Sequence, residues 1–335
     1  MTSHGEIVII MGYPAAGKST RAGVLADAGY VRLNRDLLGC SIPKLMARMT
    51  MLYQQGTRTF VLDNTYPSKE SRAEVVQWGA ERSLPVRCVH VATSIEDAQY
   101  NAVKRMLDTY GKLLGPEELK AAKNPNIFPP VAQYAYQKQF ESPSADEGFS
   151  SLEEVQFRRV QDPSAYVNKA IILDYDGTVR RSTGDHRDKR KKQIEYPFVP
   201  EEVEVLPNRR EVLNRCVQDG YLLLGVSNQS GIGKGVITEP QAVACFERTN
   251  ELLGVRIDYR FCPHYSFPVK CWCHKPLPGL GVQLVEDHKL DRAQTIMVGD
   301  LKKDAAFARA LGCMFVPADQ FFKGTGWRPA VIEVP

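Results

Sequence analysis

No apolar run in the 335 residues approaches the roughly 20 needed to cross a bilayer. The first apolar stretch, 7–11, is too brief for the core of a secretion signal and follows a short polar start. These absences predict an intracellular protein, cytoplasmic or nuclear, with no membrane partner. A dominant charge is missing too: 43 Lys and Arg face 39 Asp and Glu, and the net +4 alone selects no partner. At 43% hydrophobic and 24% charged residues, the composition excludes a disordered chain. Cysteine is neither dense nor regularly spaced enough for a secreted disulfide scaffold. Cys40, Cys88, Cys216, Cys245 and Cys313 are scattered, mostly in apolar contexts, and read as reduced core residues. No short-period repeat is present.

The length suggests two domains, because single cores stop growing before this size. Apolar runs at 7–11, 30–33, 59–62 and 87–92 read as strands, with helices over 68–81 and 95–109 between them. The second half repeats the style, with strands at 170–174, 221–227, 256–262, 295–298 and 315–316. Strand–helix alternation of this kind predicts an α/β chain of two doubly wound parallel sheets. Ser-Pro, Glu-Gly and Asp-Pro pairs punctuate 141–168 and place the boundary near 162, giving domains 1–162 and 163–335. The Gly- and Pro-rich stretch 111–130 reads as an active-site loop of the first domain.

Gly12-Tyr13-Pro14-Ala15-Ala16-Gly17-Lys18-Ser19 matches the phosphate-loop pattern, with an apolar strand before it and a helix after it. Backbone N–H groups from Gly12 through Ala15, Ala16, Gly17 and Thr20 are expected to face a nucleotide phosphate. Lys18 reaches the β- and γ-phosphates, and Ser19 suits Mg²⁺. ATP is the expected nucleotide. Asp36 follows the second strand in Asn34-Arg35-Asp36, where it is either a general base for an attacking hydroxyl or a helix N-cap. The third strand ends in Asp63-Asn64-Thr65.

These segments, with Ser71-Arg72, the run 136–141 and Glu147-Gly148-Phe149, resemble in order the kinase domain of polynucleotide kinase-phosphatases. The resemblance covers most of 5–157. It implies that Asp36 is the base acting on a 5′-hydroxyl and that Arg105, in a lid helix, contacts the nucleotide phosphates. Val103 stands where animal members carry a further Arg.

In the second half, a strand runs into Asp174-Tyr175-Asp176-Gly177-Thr178. Two carboxylates two residues apart at a strand end can face one phosphate, Asp174 as nucleophile and Asp176 as general acid and then base. Ser227-Asn228 offers donors to the phosphoryl oxygens, Lys275 a cation, and Gly299-Asp300, with Asp304 behind it, a Mg²⁺ ligand. The ordered set resembles the haloacid dehalogenase superfamily of phosphatases, whose Mg²⁺ the resemblance assigns to Asp174, Asp176 and Asp300. Cys262, His264, Cys271 and Cys273 form a Cys₃His set suited to tetrahedral Zn²⁺. With Asn228-Gln229-Ser230-Gly231-Ile232, they resemble the histidinol-phosphate and heptose-bisphosphate phosphatase branch, where the ion is structural. His274 stands where that branch usually has Arg.

The resemblances imply an end-healing enzyme with nucleic acid as substrate, a 5′-hydroxyl polynucleotide kinase joined to a 3′-phosphatase. The alternative is a bifunctional kinase and phosphatase of small phosphosugars. Residues 180–192 carry seven Lys and Arg against two Asp and so hold the chain's whole positive excess. They read either as a loop over the phosphatase site that meets a polyanion or as a solvated charged run.

Overall fold

The computed structural model describes residues 5–39, 41–188, 192–265 and 269–323. Cys40 and residues 189–191 of the basic run lie outside them. The chain divides into two compact units, 1–102 with 117–159, and 103–116 with 160–335.

The first unit is built on β1 (Glu6–Met11), β2 (Val31–Leu33), β3 (Thr59–Asp63), β4 (Val86–Ala92) and β5 (Ser151–Gln156). They form one parallel sheet in the order β2-β3-β1-β4-β5. In β1, successive side chains point to opposite faces. Ile7, Ile9 and Met11 enter a core with Leu45, Phe60 and Trp78, while Val8 and Ile10 enter another with Ala22, Val61 and Val89. Both faces are covered, which is why this strand reads as an unbroken apolar run. A buried arginine ties distant segments of the unit together. Arg72 is fully buried, donates through Nε and Nη2 to Glu147 at 2.7 and 2.8 Å, and donates through Nη1 to the carbonyls of Tyr66 and Glu141.

The second unit has β6 (Asn168–Leu173), β7 (Arg180–Ser182), β8 (Val203–Val205), β9 (Leu222–Asn228), β10 (Asp258–Cys262), β11 (Leu290–Gly299) and β12 (Met314–Pro317). Five of these make a parallel sheet in the order β10-β9-β6-β11-β12, and β7 and β8 make a small antiparallel pair. Its core gathers Ile171, Leu173, Tyr175, Phe246, Val298 and Phe321.

In each sheet the first strand, β1 or β6, lies in the middle with its successors on either side. Chain order reverses there, and the carboxyl ends of such strands open a crevice for ligands. Both fold-class expectations hold. Three strands have no counterpart in the sequence reading, β5, β7 and β8. The strand at 256–262 begins two residues later than expected, and that at 295–298 extends back to Leu290.

Candidate active sites

At the carboxyl end of β1 the chain turns through Gly12, whose φ is +144°. A Cβ there would sit 2.7 Å from the carbonyl oxygen of Val91, so glycine is required. Ala15 and Gly17 are left-handed as well, at φ +67° and +95°. Alternation of this kind turns successive N–H groups to one side and makes an anion-binding concavity. Helix Lys18–Asp27 begins at the loop and adds its positive end.

Three side chains distant in sequence hold the loop's carbonyls outward. Gln133 donates to Pro14 at 2.9 Å, Asn101 to Ala15 at 2.9 Å and Thr93 to Ala16 at 2.8 Å. Three of the amides expected to face a phosphate donate within the protein, Gly12 to the carbonyl of Thr65 at 3.3 Å, Ala16 to that of Tyr13 at 3.0 Å and Thr20 to that of Gly17 at 3.1 Å. Lys18 is buried, and its ammonium donates to the carbonyls of Gly12 and Tyr13 at 3.0 and 2.7 Å. Ser19 donates to Asp63 Oδ2 at 3.0 Å. Asp63 is buried and also paired with Arg32, so it is a fixed acceptor behind the serine hydroxyl.

Asp36 is not a helix cap. Asn34 caps helix Arg35–Leu38 by accepting from the Leu37 amide at 2.9 Å, and the Asn64 side chain accepts from the Arg35 amide at 3.0 Å. Asp36 is half exposed, with Arg35 beside it at 3.5 Å. Arg105 lies on helix Ile95–Tyr110, half-buried, in the 103–116 segment that groups with the second unit. Burial pushes its guanidinium below its usual pKa.

At the end of β6, Asp174 and Asp176 project to one side, while Tyr175 between them points into the core. The Tyr175 ring is fully buried, packed edge-on against Phe246 at 4.5 Å. Lys275 Nζ donates to Asp174 at 2.6 Å and pairs with Asp304 at 2.8 Å. Burial alone would lower the pKa of this lysine. The two carboxylates outweigh burial and hold it above the ordinary value. Lys275 is fixed through its backbone as well, because Asn228 at the end of β9 receives its N–H at 2.9 Å and donates to its carbonyl at 3.0 Å.

Asp300 follows β11. Its carboxylate lies against Gly177, where a Cβ would be 2.5 Å away, and accepts from Thr178 at 3.2 Å. Desolvation and the charge of Asp174 raise its pKa. Among the described residues, one carboxylate group able to hold a cation is Asp174, Asp300 and Asp304. The Asp176 carboxylate turns elsewhere. It accepts from Arg180 Nε at 2.9 Å and from Gln229 Nε2 at 3.2 Å, and Gln229 also donates to Ser227 Oγ at 2.9 Å.

The basic run is less positive than its composition implies. Arg180 is buried against Asp176, Arg181 forms a two-pronged bond to Glu204 across the β7–β8 pair, and Arg187 pairs with Asp185. Arg180 therefore belongs to the site's interior, not to a solvent-facing loop. Arg180 and Arg181 are adjacent in sequence, so no local signal tells their placements apart.

Cys262, His264, Cys271 and Cys273 converge, with all four ligand atoms within 4.8 Å of one another. Cys262 Sγ lies 3.7 Å from Cys271 Sγ and 3.3 Å from Cys273 Sγ, and His264 presents Nδ1. Hydrogen bonds from Cys262 and Cys273 pull the Cys271 thiol well below the usual range. The loop they close runs from β10 to Lys275. The sequence reading did not include Thr93, Asn101, Gln133 or Thr249, and it placed Arg180 in the basic run.

A family model described as HAD-hydrolase-like matches residues 272–317. The chain is 32% identical over 162 residues to a bifunctional polynucleotide phosphatase/kinase of Schizosaccharomyces pombe. That match covers 48% of the chain and 36% of the relative, so the chain spans little more than a third of that protein's length. It is 33% identical over 152 residues to a probable D-glycero-D-manno-heptose-1,7-bisphosphate 7-phosphatase of Thermoplasma volcanium, covering 44% of the chain and 96% of the relative. A solved D,D-heptose 1,7-bisphosphate phosphatase from B. bronchiseptica is 28% identical, with 44% of this chain and 78% of that one covered and a TM-score of 0.38.

Proposed function

Because the chain belongs to the HAD-like hydrolases, we propose that its second unit is a phosphatase, joined to a first unit that is a 5′-hydroxyl polynucleotide kinase. The pair would heal nucleic-acid ends, DNA or RNA. One observation carries the reading: a phosphate loop with an uncapped, half-exposed carboxylate, Asp36, and a buried Asp174–Lys275–Asp304 centre occur in one chain.

In the phosphatase, Asp174 attacks the phosphorus of a 3′-phosphate, and the ester P–O bond breaks. The leaving oxygen takes a proton from Asp176. Water then attacks the aspartyl-phosphate and gives its proton to Asp176, which releases phosphate and restores Asp174. Lys275 is placed to hold Asp174 and neutralise the phosphoryl oxygens. Asp174, Asp176, Asp300 and Asp304 face two buried cations, Lys275 and Arg180, and the surplus of two negative charges suits one divalent ion. Asp174 and Asp300 would hold Mg²⁺, which adds charge neutralisation at the phosphoryl group.

In the kinase, Lys18, the loop amides and the helix end would bind the ATP phosphates, and Ser19, oriented by Asp63, would hold Mg²⁺ to neutralise phosphate charge. Asp36 takes the proton of the 5′-hydroxyl as its oxygen bonds the γ-phosphorus of ATP, the bond to the β–γ bridging oxygen breaks and ADP leaves.

The Cys₃His set fits structural Zn²⁺. Zn–S bonds of about 2.3 Å put tetrahedral sulfurs about 3.7 Å apart, close to the 3.3 and 3.7 Å found. That ion would fix the loop leading to Lys275.

A phosphosugar phosphatase is the second reading, supported by the Thermoplasma relative, nearly all of which the chain covers. Single-site variants test the two-centre reading. Lys18→Ala is expected to abolish 5′ phosphorylation of an oligonucleotide and spare its 3′ dephosphorylation, and Asp174→Asn to do the reverse. Loss of both activities in a folded Lys18→Ala protein would rule out independent centres.

A further inference from the structure

Arg180 has no part in the chemistry so far, yet it is a wholly buried guanidinium wedged beside the phosphatase centre. Its Nε donates to Asp176 Oδ1 at 2.9 Å. Its Nη1 donates to Thr249 Oγ1 at 3.0 Å, and Thr249, itself fully buried, donates to the carbonyl of Cys245 at 2.7 Å. The guanidinium lies over the rings of Phe246 at 4.7 Å and Tyr175 at 5.1 Å. On the other side, Gln229 holds Asp176 Oδ2. Helix Glu239–Leu253 thus reaches the Asp176 carboxylate through one rigid chain, Cys245–Thr249–Arg180.

We propose that Arg180 is a positioning residue that aims the Asp176 carboxyl at the leaving oxygen, braced by Thr249 and opposed by Gln229. Two observations separate this from a generic buried ion pair. The partner is the carboxylate whose mate two residues earlier is the nucleophile. Both of its oxygens are also gripped from different elements, so its plane is fixed and not only its charge. A planar fork bonded at two edges does this, and a flexible ammonium would not. The inference rests on the phosphatase reading of Asp174 and Asp176.

The test is leaving-group dependence. A leaving group such as p-nitrophenolate departs without a proton, whereas the sugar oxygen of thymidine 3′-phosphate needs one. Arg180→Met is expected to lower kcat/KM, which reports only the steps through departure of the leaving group, by about 10²-fold on thymidine 3′-phosphate, the lower range for loss of general acid–base catalysis. On p-nitrophenyl phosphate the fall should be under about threefold. Arg180→Lys should recover only part of the loss. Thr249→Val, which keeps the volume and removes the brace, should show the same selectivity on a smaller scale and serves if Arg180→Met does not fold. Equal losses on both substrates in folded variants, or no loss on either, would overturn the positioning role. Wild-type protein that hydrolysed neither substrate would instead overturn the phosphatase reading beneath it.

Discussion

Asp36 shows how far a single side chain can be argued. From the sequence it was a base or a cap. The structure gives the cap to Asn34 and leaves the Asp36 carboxylate half exposed beyond β2. A half-exposed carboxylate that does not cap its helix is suited to proton transfer. Asp36→Asn is expected to cut kinase turnover by about 10²–10⁴-fold, with ATP affinity and thermal stability close to wild type. Turnover near wild type would move the base elsewhere, with Asp63 the first residue to examine. Asp63 is itself a weaker candidate on this geometry, because it is buried and engaged by Ser19 and Arg32. The supporting residues Thr93, Asn101, Gln133 and Thr249 were illegible in sequence. Each is one polar residue whose meaning lies in a carbonyl or guanidinium far along the chain. Lys18 and Asp174 were legible because their motifs are local and follow a strand end, and Lys275 because it falls in order within the second motif set, just before a proline.

The same contrast holds among the elements. β1 and β6 announce themselves as apolar runs, since both faces are buried. β5, Ser-Leu-Glu-Glu-Val-Gln, is an edge strand with most residues exposed, so no hydrophobic period marks it. The β7 strand, Arg-Arg-Ser, lies within a charge run and owes its pairing to Glu204 opposite Arg181. The cysteine loop was legible from ligand spacing, whereas its purpose needed the fold. Cys262 ends β10, and the loop delivers Lys275 to the clamp of Asn228. Metal analysis of freshly purified protein is expected to find close to one zinc per chain. Cys271→Ser should lose that zinc and lower the melting temperature of the phosphatase unit, because structural zinc contributes folding energy directly. A zinc-free protein never exposed to chelator, or a Cys271→Ser variant as stable as wild type, would contradict the assignment.

Over the whole molecule, the proposal is that two phosphoryl-transfer centres serve one polymer. Sequence similarity does not choose between a nucleic-acid end and a phosphosugar, since relatives named for each match the chain at 32% and 33% identity. The choice turns on what reaches Asp174 fastest and whether charge guides it there. Arg180 is internal and Arg181 is paired, so within the basic run the proposed polymer contact rests on Arg187, which has Asp185 beside it, and on Lys189, Arg190, Lys191 and Lys192. The most direct measurement is kcat/KM of the purified protein for phosphate release in Mg²⁺. A 3′-phosphorylated oligonucleotide would be compared with a heptose 1,7-bisphosphate across a salt series, in wild type and with those five residues neutralised. The account predicts that the oligonucleotide is preferred, that its kcat/KM falls steeply with salt in wild type, and that neutralisation lowers kcat/KM and flattens that fall, as fewer counterions are released. A sugar bisphosphate hydrolysed much faster than the oligonucleotide, with neither salt nor the five substitutions affecting the polymer, would contradict it.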